Sequence, residues 1–548
     1  MIIIKYFKKN SILIFILLLS HLIIVVTTVW QPTIIHNIVD TLNFKNNVHT
    51  FHLIYQLLLL SVFSLTGGII NSISSAYLSK NISSKLREET FKKVLTFSIS
   101  EINKIGESGL TIRLTNDINH IRVSIPIFFD LIFRLPLLII FSCFMAIITV
   151  PIMWWVILLL IVTIIIISIW ISYKISKNYI HNQIALEKLN NLSKENIEGI
   201  KLIKSYVQYD EELNKFILSS NKLKDINIKI AKVLSLIMPS FLFIGNIFTL
   251  IVIILGYLYF SSDPKGAGYI VAFMSYMLQM MVGIVTAGIT TIALAQGFIA
   301  VKRIKDIFQN TTDATNKIQT YNFPEHPTIE FRNVSFKYPD SDYYAIQNIS
   351  FKINYGDTIA IIGESGSGKT TIANLITNLF NVTEGIIYVG GISINDLTRE
   401  DINKNIAYAL QNPILKKGTI KSNLTQRKQH ITNKYIYKSL EVSECLDFVR
   451  NLNKQVEEKG NNFSGGQRKR LSIAQEIITR SKINIFDDVT DSLDLLTAKK
   501  VFSNLNNFLK DRTIIYTSQN LPNSLKVDIV LLLKDGKLKS YKKGDTNK

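Results

Sequence analysis

The residues with the clearest chemical potential are 363–371, which read Gly-Glu-Ser-Gly-Ser-Gly-Lys-Thr-Thr. They lie between an apolar run at 358–362, which predicts a strand, and a helical pattern at 372–380. In that context the spacing GxxxxGK[ST] is typical of a phosphate-binding loop, because its glycines let backbone N–H groups point at phosphate oxygens. Lys369 would supply a point charge and the Thr370 hydroxyl a Mg²⁺ ligand. The alternative is a loop that only caps a helix, but a cap needs neither the Lys-Thr pair nor three glycines.

We therefore expect a bound phosphate chain to be held by this loop and the helix N-terminus that follows it. The expected contacts are Gly363, Ser365, Gly366, Ser367, Gly368, Lys369, Thr370 and Thr371.

A second group of candidates lies farther along the chain. Ser464-Gly465-Gly466-Gln467 precedes a helical apolar pattern, and a run that predicts a buried strand ends in Asp487-Asp488. A Ser-Gly-Gly run that opens a helix offers backbone N–H groups and a helix dipole to a phosphate, although Gly-Gly alone is more often a turn. Asp487 can bind Mg²⁺ through water if its strand neighbours the phosphate loop.

The composition requires a membrane-embedded part. The chain has 548 residues, 48% of them hydrophobic, and a mean hydropathy of +0.24. Apolar runs long enough to cross a bilayer occur at 12–30, 53–75, 125–147, 152–172, 236–260 and 269–292. No small-residue cleavage site follows the first run, so we expect it to be a retained helix rather than a signal peptide.

Lys and Arg residues are distributed unevenly between these spans. Segments 80–122 and 174–232 carry eight and eleven of them, whereas 36–52 and 261–268 carry one each. By the positive-inside rule, both long segments and both termini are cytoplasmic. The net charge of +20 therefore fits anchoring beside anionic lipid headgroups rather than binding to nucleic acid. The spans should continue as helices well into the cytoplasm.

The pattern predicts three parts. A six-helix α-helical transmembrane domain occupies 1–308, and a polar stretch at 309–327, without apolar periodicity, serves as the linker. An α/β domain that contains the phosphate loop occupies 328–548. The two cysteines, Cys143 and Cys445, fall in different parts, so a structural disulfide is not expected.

At this point the chain resembles the ATP-binding cassette (ABC) transporter family, in the exporter form that fuses membrane and ATPase halves. The signature motif of that family is similar to Ser464-Gly465-Gly466-Gln467, and its D-loop to Ser492-Leu493-Asp494. In the membrane half, Arg113-Leu114-Thr115-Asn116-Asp117 also resembles the exporter pattern.

The resemblance implies that 328–548 is an α/β P-loop ATPase domain with a helical subdomain, and it implies roles for residues around the phosphate loop. ATP is the implied nucleotide and Mg²⁺ the implied metal, with Thr370, Gln411 and Asp487 as the metal-site residues. Tyr338 is the implied adenine-stacking aromatic. The signature would contact the ATP held by a partner subunit. Short helices near 98–106 and 208–216 would be the coupling contacts with the ATPase domains.

Two positions depart from the family pattern. The family has a general-base Glu directly after the Mg²⁺ aspartate, where this chain has Asp488, and a switch histidine where it has Gln519. Both changes fall on the catalytic set, which is completed by Gln411, while the phosphate loop and signature stay intact. This pattern favours a site that binds ATP and hydrolyses it slowly; the alternative is neutral drift with adjusted geometry.

The membrane half offers two further candidates. Asp130 and Arg134 stand at i, i+4 on the third span, where ionisable groups are candidates for function. Met274, Met277 and Met281 mark one face of the sixth span and would form either an adaptable binding wall or ordinary helix packing.

These observations predict an ABC half-transporter in the plasma membrane that exports amphiphilic drugs, lipids or peptides. The changes at Asp488 and Gln519 favour a heterodimer with a second, competent half-transporter over a homodimer. A nucleotide-gated channel or a regulatory ATP sensor is the alternative from another class. The six spans argue against soluble ATPases that act on DNA.

Overall fold

The computed structural model describes residues 2–43, 47–260, 263, 265–309, 321–339, 341–426, 431–489, 493–519 and 527–543. The chain divides into two compact units, Met1–Leu95 with Ser108–Thr311, and Thr96–Glu107 with Thr312–Lys548. The segment 96–107, within which a coupling helix was expected, thus groups with the second unit.

Helices of very different length make up the first unit. They are α1 (Ile2–Lys9), α2 (Ser11–Asn43), α3 (Asn47–Leu95), α5 (Glu107–Ile112), α6 (Ile118–Phe129), α7 (Leu135–Thr149), α8 (Trp154–Glu198), α9 (Ile200–Tyr206), α10 (Tyr209–Phe260) and α11 (Gly266–Gln309), while α4 (Ile99–Ile105) belongs to the second unit. Two five-residue π-helical turns, Arg113–Asp117 and Asp130–Arg134, join α5 to α6 and α6 to α7.

Among the described residues, six helical segments are long and apolar enough to cross a membrane, as the sequence predicted. They are Ser11–Leu42, Val48–Leu95, Glu107–Thr149, Pro151–Ile175, Tyr209–Phe260 and Gly266–Gln309. Helix α10 has 52 residues, and a rise of 1.5 Å per residue makes it about 78 Å long, more than twice the hydrocarbon thickness of a bilayer. The predicted helical extensions beyond the bilayer are therefore present.

One expected helix is different in the structure. Residues 208–216 do not form a short coupling helix of their own, because α10 begins at Tyr209 and continues unbroken to Phe260. The break lies at Val207, which adopts a left-handed conformation (φ 56°) after the short helix α9. No proline or glycine follows in 209–216 to end the new helix, so the segment continues into the long one.

The core of the first unit lies where α2, α7, α8, α10 and α11 meet. Met277 and Met281 are buried in it, and Met274 packs against it. The methionine stripe therefore packs between helices in this chain, which supports helix packing over a binding wall.

The described residues of the second unit form three sheets. Their strands are β1 (Ile329–Lys337), β2 (Tyr344–Ile353), β3 (Thr358–Gly363), β4 (Glu384–Val389), β5 (Ile392–Ser393), β6 (Ile406–Ala409), β7 (Gly418–Thr419), β8 (Gln455–Val456), β9 (Ile483–Asp487), β10 (Thr513–Ser518), β11 (Ile529–Lys534) and β12 (Lys537–Lys543). The sheets have the orders β2-β1-β4-β5, β12-β11-β3-β10-β9-β6 and β7-β8.

The six-stranded sheet sets the position of the site. In it β11, β3, β10, β9 and β6 are parallel, so their carboxyl ends lie at one edge. Strand β9 is buried along its whole length, as expected for a parallel strand covered on both faces. The loops that follow β3, β6, β9 and β10 therefore converge at that edge.

Helices complete the second unit. They are α12 (Lys369–Ile376), α13 (Arg399–Asn405), α14 (Ile420–Leu424), α15 (Asn433–Val442), α16 (Gly465–Ile477) and α17 (Leu495–Phe508). Helices α14, α15 and α16 enclose a separate apolar cluster that includes Leu440, Cys445 and Leu471 and forms the predicted helical subdomain. Both cysteines are free thiols, and burial raises the pKa of Cys445 to about 12.

Candidate functional site

The phosphate loop joins β3 to α12, as the sequence predicted. The Lys369 side chain is buried, and its Nζ donates to the carbonyl oxygens of Gly363 at 2.7 Å and Glu364 at 2.9 Å. The ammonium group is thus held over the loop, where phosphate oxygens can replace the carbonyls as acceptors. Ser365 and Gly366 are exposed at the tip.

Glycine is required at both ends of this loop. A Cβ atom at Gly363 would lie 2.4 Å from the Leu533 carbonyl oxygen on the neighbouring strand β11. A Cβ atom at Gly368 would lie 2.6 Å from Ile346, and φ there is +102°. A side chain at either position would displace backbone that sets the curvature of the loop.

Two hydroxyl residues and an aromatic ring surround the first turn of α12. Ser367 is buried, and its Oγ neither donates nor accepts a hydrogen bond within the described residues. The Tyr338 Oη lies 3.2 Å from Thr371 Oγ1, and its ring contacts Phe336 and Phe380 edge to face. Tyr338 therefore lies beside the phosphate-loop helix, where a nucleotide base could reach it.

An oxygen cluster lies at the ends of β9 and β10. Thr370 Oγ1 donates to Asp487 Oδ1 at 3.2 Å, and Thr517 Oγ1 donates to the same atom. A hydroxyl and a carboxylate, both close to the phosphate loop, are the oxygen ligands that Mg²⁺ bound to phosphates prefers. The donor set fits the implied metal, which would neutralise phosphate charge there.

Asp488, directly after β9, is held at its N–H, its carbonyl and its carboxylate. Its N–H lies 3.0 Å from Thr517 Oγ1, its carbonyl accepts from Lys469 Nζ at 2.7 Å, and its Oδ2 accepts from Gln411 Nε2 at 3.3 Å. The residue adopts φ 45° and is 3% exposed. Asp488 and Gln411 thus adjoin each other beside Asp487, as the predicted catalytic set requires.

Gln519 follows directly after β10. In the sheet Ser518 is paired with Ile362 of β3, and Thr517 is paired with Asp487 of β9. The side chain of Gln519 is exposed at the edge where the phosphate loop begins. Asn520 and Leu521, the rest of this predicted loop, lie outside the described residues.

The signature run opens α16. The Ser464 Oγ accepts from the Gln467 N–H at 3.2 Å, and the Gln467 Oε1 accepts from the Ser464 N–H at 3.0 Å. This reciprocal capping box fixes the start of the helix, and Ser464 and Gly465 are exposed. No hydrogen bond between described residues joins Ser464, Gly465, Gly466 or Gln467 to the phosphate loop.

The D-loop is described only in part. Ser492 lies outside the described residues, whereas Asp494 caps α17 by accepting from the Thr497 N–H at 2.9 Å. Hydrogen bonds from Thr497 lower the pKa of Asp494.

Sequence reasoning missed three residues that contact the site. Tyr408 Oη lies 3.1 Å from both Asp487 Oδ2 and Asn374 Oδ1, and Thr517 and Lys469 bind the backbone of Asp488. Burial and the adjacent carboxylate raise the pKa of Tyr408. The position of Tyr408, three residues before Gln411, could have indicated that it lies near the site. The contact of Lys469 could not have been predicted in this way, because it depends on how α16 packs.

Models of known protein families match both parts of the chain. The family described as ABC transporter transmembrane region matches residues 13–285, and the family described as ABC transporter matches residues 346–491. An uncharacterized ABC transporter ATP-binding protein, YfiB of Bacillus subtilis, is 27% identical over 97% of this chain and 94% of its own length.

Two other relatives cover most of the chain. A putative ABC transporter ATP-binding protein, MG014 of Mycoplasma genitalium, is 29% identical over 88% of this chain and 81% of its own. An ATP-dependent lipid A-core flippase of Wigglesworthia glossinidia brevipalpis is 27% identical over 87% of this chain and 83% of its own. With its six spans and fused ATP-binding domain, the chain belongs to the ABC transporter family as an exporter half-transporter, which must dimerise with another ABC half.

Proposed function

We propose that this half-transporter is the weakly hydrolysing subunit of a heterodimeric exporter in the plasma membrane. The observation that carries the proposal is the pair Asp488 and Gln519 in the positions of a general base and a switch histidine, beside an otherwise complete nucleotide site. The partner would be a second ABC half-transporter whose own site is competent.

The position of Asp488 supports slow hydrolysis. Its side chain is buried and its backbone is held by Thr517 and Lys469, so the main chain at Asp488 cannot shift towards a nucleotide without breaking those bonds. Relative to Glu, its carboxylate is retracted by one methylene, about 1.5 Å. A correctly placed general base contributes typically about 10²–10⁴-fold to the rate, so its misplacement accounts for roughly 3–5 kcal/mol of barrier.

The groups that hold the nucleotide support tight binding despite slow turnover. Lys369, Thr370 and Asp487 are already brought together by β3, α12 and β9. They bind phosphates and Mg²⁺ and take no proton from water, so their function does not depend on Asp488. Gln411 donates to the Asp488 carboxylate and can orient a water or a metal ligand.

In the proposed mechanism, ATP binding brings the two ATPase domains together. Exposed Ser464 and Gly465 of α16 then complete the nucleotide site of the partner, and the partner's signature completes the site of this chain. Closure is carried to the spans by the long helices that extend beyond the bilayer and switches the substrate cavity from inward- to outward-facing.

The domain limits and topology belong to the same proposal. We assign the transmembrane domain to 1–308, the linker to 309–327 and the ATPase domain to 328–548; the end of α11 at Gln309 and the start of β1 at Ile329 support these limits. The distribution of Lys and Arg supports cytoplasmic termini.

We propose an amphiphilic drug, lipid or peptide as the substrate class. The apolar core of the spans supports an amphiphile, and the relative named as a lipid A-core flippase supports a lipid within that class. A nucleotide-gated channel or ATP sensor, or a homodimer with slow hydrolysis, is the rival. ATP-dependent accumulation of substrate against its gradient distinguishes an exporter from a channel.

The test compares the purified chain alone with its complex. Alone, it should bind ATP with Mg²⁺ but hydrolyse it at least about tenfold more slowly than the complex, a difference of about 1.4 kcal/mol in barrier. The Lys369→Ala variant, which should lose ATP binding, provides the control for nucleotide contact. Equal turnover per site in the isolated chain and the complex would disprove the impaired site.

A further inference from the structure

A cluster of ionisable side chains lies within the spans, away from the nucleotide site. The His21 Nε2 donates to the Asp130 Oδ1 at 2.9 Å, and the Arg134 Nη1 donates to the same oxygen at 3.4 Å. Asp130 and Arg134 are the predicted i, i+4 pair, and His21 joins them from α2. We call these three residues the membrane triad.

The triad lies inside the apolar part of the bundle. His21 is ten residues after the start of α2 at Ser11, or about 15 Å along the helix axis. Ionisable groups at such positions are costly, and they persist where they bind something or line a path. ATP binding and hydrolysis, which involve the second unit, do not account for them.

The backbone at the triad is also unusual. Asp130–Arg134 is a π-helical turn between α6 and α7. Such turns insert an extra residue into an α-helix and are found frequently at functional sites, because they redirect side chains. Here the turn carries both the carboxylate and the guanidinium of the triad.

One side of the triad is closed and the other is open. The side chain of His21 is 3% exposed, whereas those of Asp130 and Arg134 are 38% and 37% exposed. Both hydrogen bonds to Asp130 end on Oδ1, so within the described residues Oδ2 remains available as an acceptor. The remaining N–H donors of Arg134 are available in the same way.

The geometry differs from that of a purely structural ion pair. A pair built for stability in an apolar environment would be buried and bidentate, because only close contact offsets desolvation. Among the residues that the structure describes, Arg134 instead makes a single long side-chain contact, to Asp130, which leaves most of its donors for another group. The open side therefore presents one negative and one positive group to a ligand.

We propose that the membrane triad binds the headgroup of a zwitterionic amphiphile. Asp130 accepts from its ammonium group, and Arg134 donates to its phosphate or carboxylate. His21 is a positioning residue, which fixes the carboxylate of Asp130 from the buried side. This assignment rests on the proposed function, since it names the substrate class of the same exporter.

Direct lipid binding tests the assignment. Three lipids with the same fluorescent acyl chain are titrated into the full chain in non-ionic detergent: phosphatidylethanolamine (zwitterionic), phosphatidylglycerol (anionic) and diacylglycerol (uncharged). Phosphatidylethanolamine should bind at least about tenfold more tightly than either of the others. Equal affinities for the three lipids would overturn the proposal.

Substitutions test which charge of the headgroup each side chain binds. Asp130→Asn should reduce phosphatidylethanolamine binding to the level of phosphatidylglycerol, and Arg134→Gln should weaken both phospholipids but not diacylglycerol. The matched control is Arg122→Gln, which removes an exposed positive charge from the same span and should keep the wild-type order of affinities for the three lipids. Equal weakening of all three lipids by Asp130→Asn and Arg134→Gln would show a structural role and refute the site.

Position 21 and the conservative replacements provide the remaining checks. His21→Gln, which keeps a donor near Nε2, should retain the headgroup preference, and His21→Leu should lose it. If Asp130→Asn fails to fold, the conservative variants Asp130→Glu and Arg134→Lys should fold and keep the wild-type order of affinities for the three lipids. Loss of that order in both variants would also refute the site.

The two proposals can fail separately. A complex that hydrolyses ATP faster than the isolated chain while the chain binds the three lipids alike refutes only the headgroup site. A chain that prefers phosphatidylethanolamine but hydrolyses ATP equally fast alone refutes only the impaired subunit.

Discussion

Substitutions of Gly465 should reduce the activity of the complex without destabilising the fold of this chain. A Cβ atom at Gly465 would meet no heavy atom within 4 Å, and the residue has no positive φ. Nothing in the chain therefore requires glycine there, and Gly465→Ala should leave its stability unchanged or raise it, by at most about 1 kcal/mol. The larger Gly465→Leu should also fold.

The effect on activity should be large. In the proposed head-to-tail dimer, the open space at Gly465 is filled by the nucleotide of the partner. A side chain there displaces backbone donors from the phosphate, and contacts of this kind are worth about 10²–10³-fold in rate, or roughly 3–4 kcal/mol. Gly465→Leu should therefore abolish nearly all ATP hydrolysis and transport in the complex.

Asp488→Ala is the comparison, because it removes a carboxylate from the site that is already slow. It should leave most of the turnover of the complex intact. The assay measures ATPase and transport in the assembled complex and the thermal unfolding of each variant, where about 1 kcal/mol shifts Tm by roughly 2–4 °C in a domain of this size. Equal losses of activity in the two variants would mean that this chain's own site does the hydrolysis.

Three further predictions concern the nucleotide site and the helical subdomain. Asp488→Glu combined with Gln519→His should raise turnover at this chain's site at least about tenfold, measured with the partner's phosphate loop inactivated; unchanged turnover would show that these residues do not limit it. Lys469→Met removes the bond to the Asp488 carbonyl and so acts on the same slow site as Asp488→Ala; the complex should keep most of its ATPase rate, and a loss as large as that of Gly465→Leu would contradict this. Cys445 should resist alkylation at pH 8 until the domain unfolds, since burial keeps its thiol protonated, and peptide mapping of rapid labelling would contradict this.

Local sequence predicted the elements whose pattern is complete within a short window. The phosphate loop lies between β3 and α12 because an apolar run, three glycines and a helical pattern follow one another without interruption. The six spans were evident for the same reason, since about twenty apolar residues suffice to define each one. The pair of Asp130 and Arg134 required only helical spacing.

Contacts between distant segments could not be predicted in this way. The approach of Lys469 to the Asp488 carbonyl depends on how α16 packs against β9, and the bond from His21 to Asp130 spans 109 positions. The break at Val207 was also missed, because a β-branched residue with positive φ is held by its surroundings rather than by its own preference.

The proposed asymmetry is possible because different residues bind the nucleotide and activate water. Lys369 and Thr370 are fixed by the phosphate loop and α12, whereas Asp488 and Gln519 follow β9 and β10. Substitutions after β9 and β10 therefore leave the binding groups in place, and a site that holds ATP without rapid hydrolysis still favours association with a partner. In the proposed complex, the signature of this chain, on α16, meets the nucleotide that the partner holds. A chain of this kind can lose turnover at its own site and still be required for turnover at the other.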